Sequence, residues 1–399
     1  MQVILAAAGG GNPGTITGDC RQALKDADCI IGADRLLKEL PEECTGNRIA
    51  AARPEEILGI LRSRKEGCVV LYSGDTGFYS GARTLIPLLE KEGISYTVLP
   101  GISSVQLLSA ALGRPWQDWM LVSAHGVDCN PVGAVMQGKP VFFLTGGDLG
   151  PAKLCRRLAE AGLRDLPVVV GENLSCPHQR ILHGRAGAFA GEAFEPLSVL
   201  LAEPAPVARR RTPGFPDSLF TRGEAPMTKQ EVRAAALAKL APDPGDILWD
   251  VGAGTGSVSI ELALAASWGR TYAVECEKKA CSLIRINREK LGAWNVKLIE
   301  GAAPQALEGL EIPDAVFIGG TRGSMEKVVN LVVDRNPGAR ICISAICIET
   351  LYQAVQALQG AGIRPEVTQI GISRGKAAGS LHMLMANNPV FLIAGNCDG

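Results

Sequence analysis

The chain has 399 residues, a formal charge of −1 at pH 7, 47% hydrophobic and 20% charged residues, and 47 glycines. That length exceeds one ordinary core and suits two domains, and the composition is that of a soluble α/β protein with many tight turns. A charge near zero argues against a polynucleotide substrate, and no apolar run approaches the roughly 20 residues needed to cross a bilayer.

MQVILAAAGGG opens without a basic leader, and Gly and Pro interrupt its apolar run early, so the chain reads as cytoplasmic. Strand-like runs then alternate with helical stretches: VILAA, a helix over 20–27, CIIG, a helix over 55–63, CVVLYSG, a helix over 82–91, SYTVLP, and a helix over 104–112. Past a waist near 113–118 the theme repeats with WMLVSAH, PVFFLTGG, a helix over 151–161, LPVVVGEN and LSVLLAE. The pattern predicts one domain over 1–205, built of two successive α/β lobes of about 1–115 and 116–205. Residues 206–218 break the periodicity with clustered prolines and the run Arg209, Arg210, Arg211. This is a linker; its arginines form a solvated hinge or, on a sharper reading, meet an anionic ligand.

From 219 to 399 strands are expected at 247–251, 271–275, 296–300, 314–318, 340–345, near 365–372 and at 381–386, the last two forming a terminal antiparallel hairpin. Helices over 257–267, 277–291, 324–333 and 349–360 alternate with them, which predicts a mostly parallel, seven-stranded, doubly wound Rossmann-like sheet. Twelve cysteines without a CxxC pair, beside only four histidines, read as scattered small core residues, not as a metal or disulfide framework.

The chemistry concentrates in DVGAGTGSVSIE (250–261). An apolar strand, ILWDV, runs into Gly252, Ala253, Gly254, Thr255 and Gly256, where the backbone turns sharply and approaches a ligand, and a helix follows. Glu275 closes the next strand, TYAVE, where an acid can accept hydrogen bonds from ribose hydroxyls. A dinucleotide fingerprint would need glycine at 257, where this chain has Ser257. A ligand with a ribose but no phosphate fits better, namely S-adenosylmethionine, and the competing reading is a purely structural strand-to-helix turn.

The second half is similar to Rossmann-like S-adenosylmethionine methyltransferases, and within them to the decarboxylating precorrin methyltransferase domain of vitamin B12 synthesis. PMTKQEVRA (226–234), DVGAGTGSVSIELA, AVECE, EGAAPQAL and DAVFIGG carry this resemblance over most of 215–390. The first half resembles the tetrapyrrole methylases, in which the cofactor lies folded in a cleft between two lobes. Its matching motifs are SGDTGFYSGA (73–82), LPGISSVQLLSAALGRPWQD (99–118), SAHG (123–126) and GENL with QRILHG (171–184). One departure is visible: the family's GxGPG loop stands here as AAGGGNPG, with Gly10 where proline would fall. Together the halves resemble the fused precorrin-6Y C5,15-methyltransferase (decarboxylating) family.

The resemblance implies one S-adenosylmethionine per domain, a tetrapyrrole substrate and a homo-oligomer. In the first domain it implies cofactor contacts from Gly74, Asp75, Phe78, Ser103, Ser104, Leu144 and Leu174. Asp75 also suits a helix cap or Asx turn, and Leu144 and Leu174 also suit a core. Asp34 aligns with an acid proposed as a base, though a helix N-cap explains it as well; His125 shuttles a proton or satisfies a loop. In the second domain it implies Gly252 to Gly256, Glu275 and Ala303 at the cofactor, with Thr228 closing the site. Arg233, Arg322, Arg374 and Lys376 are candidates to neutralise substrate carboxylates, or are solvated surface.

The resemblance assigns methylation of carbon 15 and loss of the ring C acetate carboxyl to the second domain, and methylation of carbon 5 to the first. Meso carbons are electron-rich, so alignment with the sulfonium methyl matters more than a strong base. Methylation leaves an iminium-like system able to accept the electrons of the departing carboxylate, which removes the need for a metal or pyridoxal phosphate. Two rivals stand beside this reading: an RNA or protein methyltransferase with an accessory first half, and a fusion in which one half only binds tetrapyrrole.

Overall fold

A computed structural model describes residues 2–64, 67–208 and 212–395; the arginine run read as a hinge, Arg209 to Arg211, lies outside the described residues. The chain divides into two compact units, one of Met1–Cys129, Lys139–Arg156 and Arg164–Glu203, the other of Asn130–Gly138, Arg157–Leu163 and Pro204–Gly399.

In the first unit β1 (Val3–Ala7), β2 (Cys29–Gly32), β3 (Asn47–Ala50), β4 (Cys68–Tyr72) and β5 (Tyr96–Val98) form a parallel sheet in the order β3-β2-β4-β1-β5. Its central strands are apolar almost throughout because both faces are covered. Val3, Leu5, Ile31 and Val70 meet Leu58, Leu61, Leu85 and Leu89 on one side. Ala6, Ile30, Val69 and Leu71 meet Leu24, Leu36 and Leu37 on the other, as the two-residue strand period requires.

A second sheet holds β6 (Met120–His125), β7 (Val141–Gly146), β8 (Pro167–Glu172), β9 (Arg180–Arg185) and β10 (Ser198–Ala202) in the order β6-β7-β10-β8-β9. Only β6 and β7 pair in parallel; the remaining pairs are antiparallel. Phe142, Val199 and Leu201 of this sheet pack with Trp119, Leu108 and Leu174.

The second unit is built on β11 (Ile247–Val251), β12 (Arg270–Glu275), β13 (Val296–Glu300), β14 (Ala315–Ile318), β15 (Arg340–Ala345) and β16 (Glu366–Ile370), with β17 (Ser373–Ala378), β18 (Leu381–Ala386) and β19 (Val390–Gly395) following. Seven of these form one sheet, β13-β12-β11-β14-β15-β19-β16, with β19 antiparallel to both neighbours. This corrects the expected ending. The strand beside β16 is VFLIAG, while 381–386 pairs only with β17 in a separate two-stranded hairpin whose residues are all exposed. Both segments are apolar enough for a strand, but Leu392 and Ile393 reach the core and Leu381 and Leu384 do not. Among the described residues no helix is long and apolar enough to cross a membrane.

Candidate functional site

Two cavities lie at carboxyl ends of strands, one in each unit. The first, of about 390 Å³, is lined by the loops after β1 (Gly9, Gly10) and β4 (residues 73–79), and by Ser103 and Ser104 before the helix Ser104–Leu112. From the second sheet come His125 ending β6, residues 144–147 ending β7, Gly171, Asn173 and Leu174 at the end of β8, and residues 196–199 entering β10. The size suits a small molecule.

Backbone and side chains pin these loops. Gly9 and Gly74 exchange hydrogen bonds, N–H to O, of 3.1 and 2.8 Å. Asp75 accepts from Gly77 N at one carboxylate oxygen and from Gly101 N at the other, both at 2.8 Å, so its Asx turn also ties the β4 loop to the segment before the helix. Ser103 is buried and forms a capping box with Gln106. Phe78, Leu144 and Leu174 line the cavity and pack against the Phe142 cluster, so the core and contact readings coexist.

Asp34 stands apart. It is the first helical residue of Asp34–Lys38 behind Ala33 as N-cap, so it is not itself the cap, and its carboxylate lies 2.5 Å from Lys38 Nζ in an exposed pair outside the cavity lining. Its neighbour Arg35 lines the cavity instead, 3.5 Å from Ser73 Oγ. A cation next to the expected acid was the signal for it.

The second cavity, of about 740 Å³, sits at the carboxyl ends of β11, β12 and β14, with residues 224–226 and Thr228 also at its wall. Gly252, Ala253, Gly254, Glu275 and Ala303 line it. At Gly252 (φ +74°) a Cβ would fall 2.5 Å from Gly320 O, so only glycine lets β11 turn there. Two of the expected contacts stand off the cavity wall. Thr255 is buried beneath the loop, and Gly256 faces Ile284 of the helix Lys278–Leu291, where a Cβ would come within 3.1 Å; neither lines the cavity. The first two glycines serve the cavity and the third serves helix packing.

Glu275 is held by three amides: Gly254 N at Oε2 (2.8 Å), and Cys276 N (2.8 Å) and Glu277 N (2.9 Å) at Oε1. With about four acceptor positions on a carboxylate, Oε2 keeps the spare one. Asp250 is the functional group that the sequence reading passed over. It ends the buried run ILWDV, lines the cavity, accepts at Oδ2 from Ser259 Oγ, and leaves Oδ1 without a partner among the described residues. Burial, with Glu275 adding, pushes its carboxyl up to about 7.

The arginine candidates separate. Arg233 is fully buried, paired with Asp217 (2.9 Å) and Glu261 (2.8 Å), stacked on Phe220, and bonded to Thr228 O. A substrate carboxylate cannot reach it, so that assignment is overturned: it braces the segment bearing Thr228. Arg322 lines the cavity and pairs with Glu277. Arg374 pairs with Glu231 at 2.7 Å, and Lys376 is exposed on β17. Among the described residues no three His, Cys, Asp or Glu side chains cluster as a metal site.

Residues 2–190 match the family described as Tetrapyrrole (Corrin/Porphyrin) Methylases, and residues 218–395 match the Precorrin methyltransferase domain. A Sinorhizobium precorrin-6Y C(5,15)-methyltransferase [decarboxylating] is 31% identical over 364 residues, 88% of this chain and 87% of that one. A probable cobalt-precorrin-6B C(15)-methyltransferase (decarboxylating) of Pyrobaculum calidifontis is 43% identical over 46% of this chain and 95% of its own length. A solved precorrin-6y C5,15-methyltransferase structure from Geobacter metallireducens is 36% identical, covering 46% of this chain and 98% of that one, with a TM-score of 0.45.

Proposed function

The chain belongs to the precorrin-6Y C5,15-methyltransferase (decarboxylating) family, and we propose that it moves two methyl groups from S-adenosylmethionine to carbons 5 and 15 of a precorrin, metal-free or carrying cobalt, and releases the ring C acetate carboxyl as carbon dioxide. The observation that carries this is the pair of separate cavities, each at carboxyl strand ends and each within a segment matching a methylase family.

The division of labour follows by subtraction. A relative named for carbon 15 and decarboxylation spans nearly its whole length with 46% of this chain, about the extent of the match at 218–395. The second unit therefore takes carbon 15 and the carboxyl, which leaves carbon 5 to the first. In the second cavity the donor's ribose docks on Glu275 Oε2, its ammonium on the orphan Asp250 Oδ1, and its sulfonium lies by Gly252 to Gly254, with Ala303 and Thr228 closing over it. In the first cavity the amides around Gly74 and Ser103 and the apolar wall of Phe78, Leu144 and Leu174 hold the donor, while Arg35 meets a substrate carboxylate. The methylated macrocycle takes the electron pair of the leaving carboxylate, so the lyase step asks only for orientation.

Full-length protein with precorrin-6B and methyl-labelled donor tests this. Gly254→Arg is expected to lose carbon 15 methylation and carbon dioxide together while carbon 5 is still methylated; Gly74→Arg is expected to do the reverse. Titration with S-adenosylhomocysteine should find two sites per chain. Carbon dioxide released by Gly254→Arg, or a single site in the unaltered protein, would defeat the reading.

A further inference from the structure

We propose that His125 is the base that removes the hydrogen of carbon 5 as the methyl group arrives; this rests on the reading that the first cavity methylates that carbon. The argument begins with the ring's place. His125 ends β6 opposite Gly146 of β7, its side chain is exposed, and it lines the cavity. A Cβ at residue 146 would lie 1.8 Å from His125 Nδ1, so β7 carries glycine where the imidazole crosses it. A ring that only filled a loop would not need its neighbouring strand cut back to backbone.

The tautomer follows from the partner. Nδ1 lies 3.3 Å from Thr145 O, and a carbonyl only accepts, so Nδ1 carries the proton. Thr145 is itself fixed, its Oγ1 donating to Ser198 O at 2.5 Å. Nε2 thus presents a lone pair and has no hydrogen-bond partner among the described residues. This is the geometry of a base oriented by a second group.

The other titratable side chains at the cavity already have partners or carry no free base. Both Asp75 oxygens accept from loop amides, Tyr79 OH donates to Leu121 O at 3.0 Å, and Arg35 is a cation. The chemistry needs one acceptor. The π electrons of the macrocycle form the new carbon–carbon bond as the carbon–sulfur bond breaks, leaving S-adenosylhomocysteine and a cationic macrocycle. The carbon 5–hydrogen bond then breaks, its electrons restore the π system, and Nε2 takes the proton. The imidazolium returns the proton to water, to which the exposed ring has access.

His125→Ala and His125→Gln in the full chain are compared with Gly74→Arg. Both His125 variants should retain both S-adenosylhomocysteine sites, carbon 15 methylation and carbon dioxide release, while carbon 5 methylation slows about 10²- to 10⁴-fold. Added imidazole should restore part of the rate to His125→Ala, and substrate deuterated at carbon 5 should react more slowly in that variant. Carbon 5 methylation within threefold of normal in either His125 variant, while Gly74→Arg abolishes it, overturns the base and leaves the cavity assignment intact. A loss with neither rescue nor isotope effect gives the ring a packing role and overturns it too. Normal carbon 5 methylation in Gly74→Arg defeats the cavity reading itself.

Discussion

The two cavities differ in how their carboxylates are partnered. In the first, Asp75 accepts one loop amide at each oxygen and so ties two loops together. In the second, Asp250 is buried with one oxygen unpartnered among the described residues, while Glu275 accepts three amides. On the proposed reading, the first unit uses Asp75 to shape loops and meets its ligands with amides, apolar surface and Arg35, whereas the second offers the donor two carboxylates, Asp250 and Glu275. A buried polar group without a partner is costly, and on the proposed reading the donor's ammonium supplies the partner of Asp250 Oδ1.

The most severe way to break this contrast strikes the second unit alone. Arg233→Met removes the buried counter-ion of Glu261 and leaves Asp217 only its longer pairs with Arg222 and Arg374, which costs about 3–5 kcal/mol. Calorimetric unfolding should show one transition lowered, with one S-adenosylhomocysteine site lost and the first cavity still binding. Loss of both sites would mean that the units do not respond separately.

Asp250 sharpens the contrast through pH. Burial raises its folded pKa to about 7, above the ordinary value of about 3.9. Its contribution to stability is therefore whole below about pH 4 and is lost as pH rises towards 7. A cationic ammonium selects the ionised form, so affinity at the second site should run the other way, rising by up to about tenfold per pH unit below 7 and levelling above. Asp250→Asn should flatten that slope and weaken binding at pH 8 by about 10- to 100-fold, the worth of a charge-assisted hydrogen bond of about 1.5–3 kcal/mol. The first site should stay within threefold over the same range. Calorimetric titration at several pH values checks both.

How much of this was readable from the residues follows from the range of the interactions. The strand, glycine loop and helix across 247–265 are local and were legible, since a five-residue strand with four apolar residues, a turn that only glycine makes and a helical period fall in sequence. Which glycine faces a ligand was not legible, because Gly256 turns towards Ile284, a residue on the next helix. Arg233 read as a surface cation because its partners, Asp217 and Glu261, lie far along the chain. The final strand was misplaced because LHMLMA and VFLIAG are both apolar enough for a strand, and the core shows which of them is buried. Asp250 was hidden inside an apolar run, where one acid read as part of a motif and not as an unpaired charge.

A smaller effect tests the structural half of the comparison. Asp75→Ala removes two hydrogen bonds from amides to a carboxylate, and the loops meeting at Gly77 and Gly101 lose their tie. A destabilisation of about 1–3 kcal/mol is expected, with weaker S-adenosylhomocysteine binding at the first site and none of the pH slope seen at the second. Asp75→Asn keeps one acceptor oxygen and should recover part of the loss. Equal losses in both variants would point to a direct charge contact with the donor and erase the contrast.

The smallest expected effect falls on Asp34. Its one ion pair among the described residues is with Lys38, both side chains are mostly exposed, and pairs of that kind one helical turn apart contribute about 0.3–0.5 kcal/mol. Asp34→Asn should therefore shift stability by no more than that and leave carbon 5 methylation within twofold. The alignment that suggested a base at this position and the geometry that puts it outside the cavity make opposite claims, so the variant decides between them. A fall of tenfold or more, with S-adenosylhomocysteine binding intact, would mean that the helix Asp34–Lys38 turns inward when the macrocycle binds. Asp34 would then share with His125 the work of taking the proton.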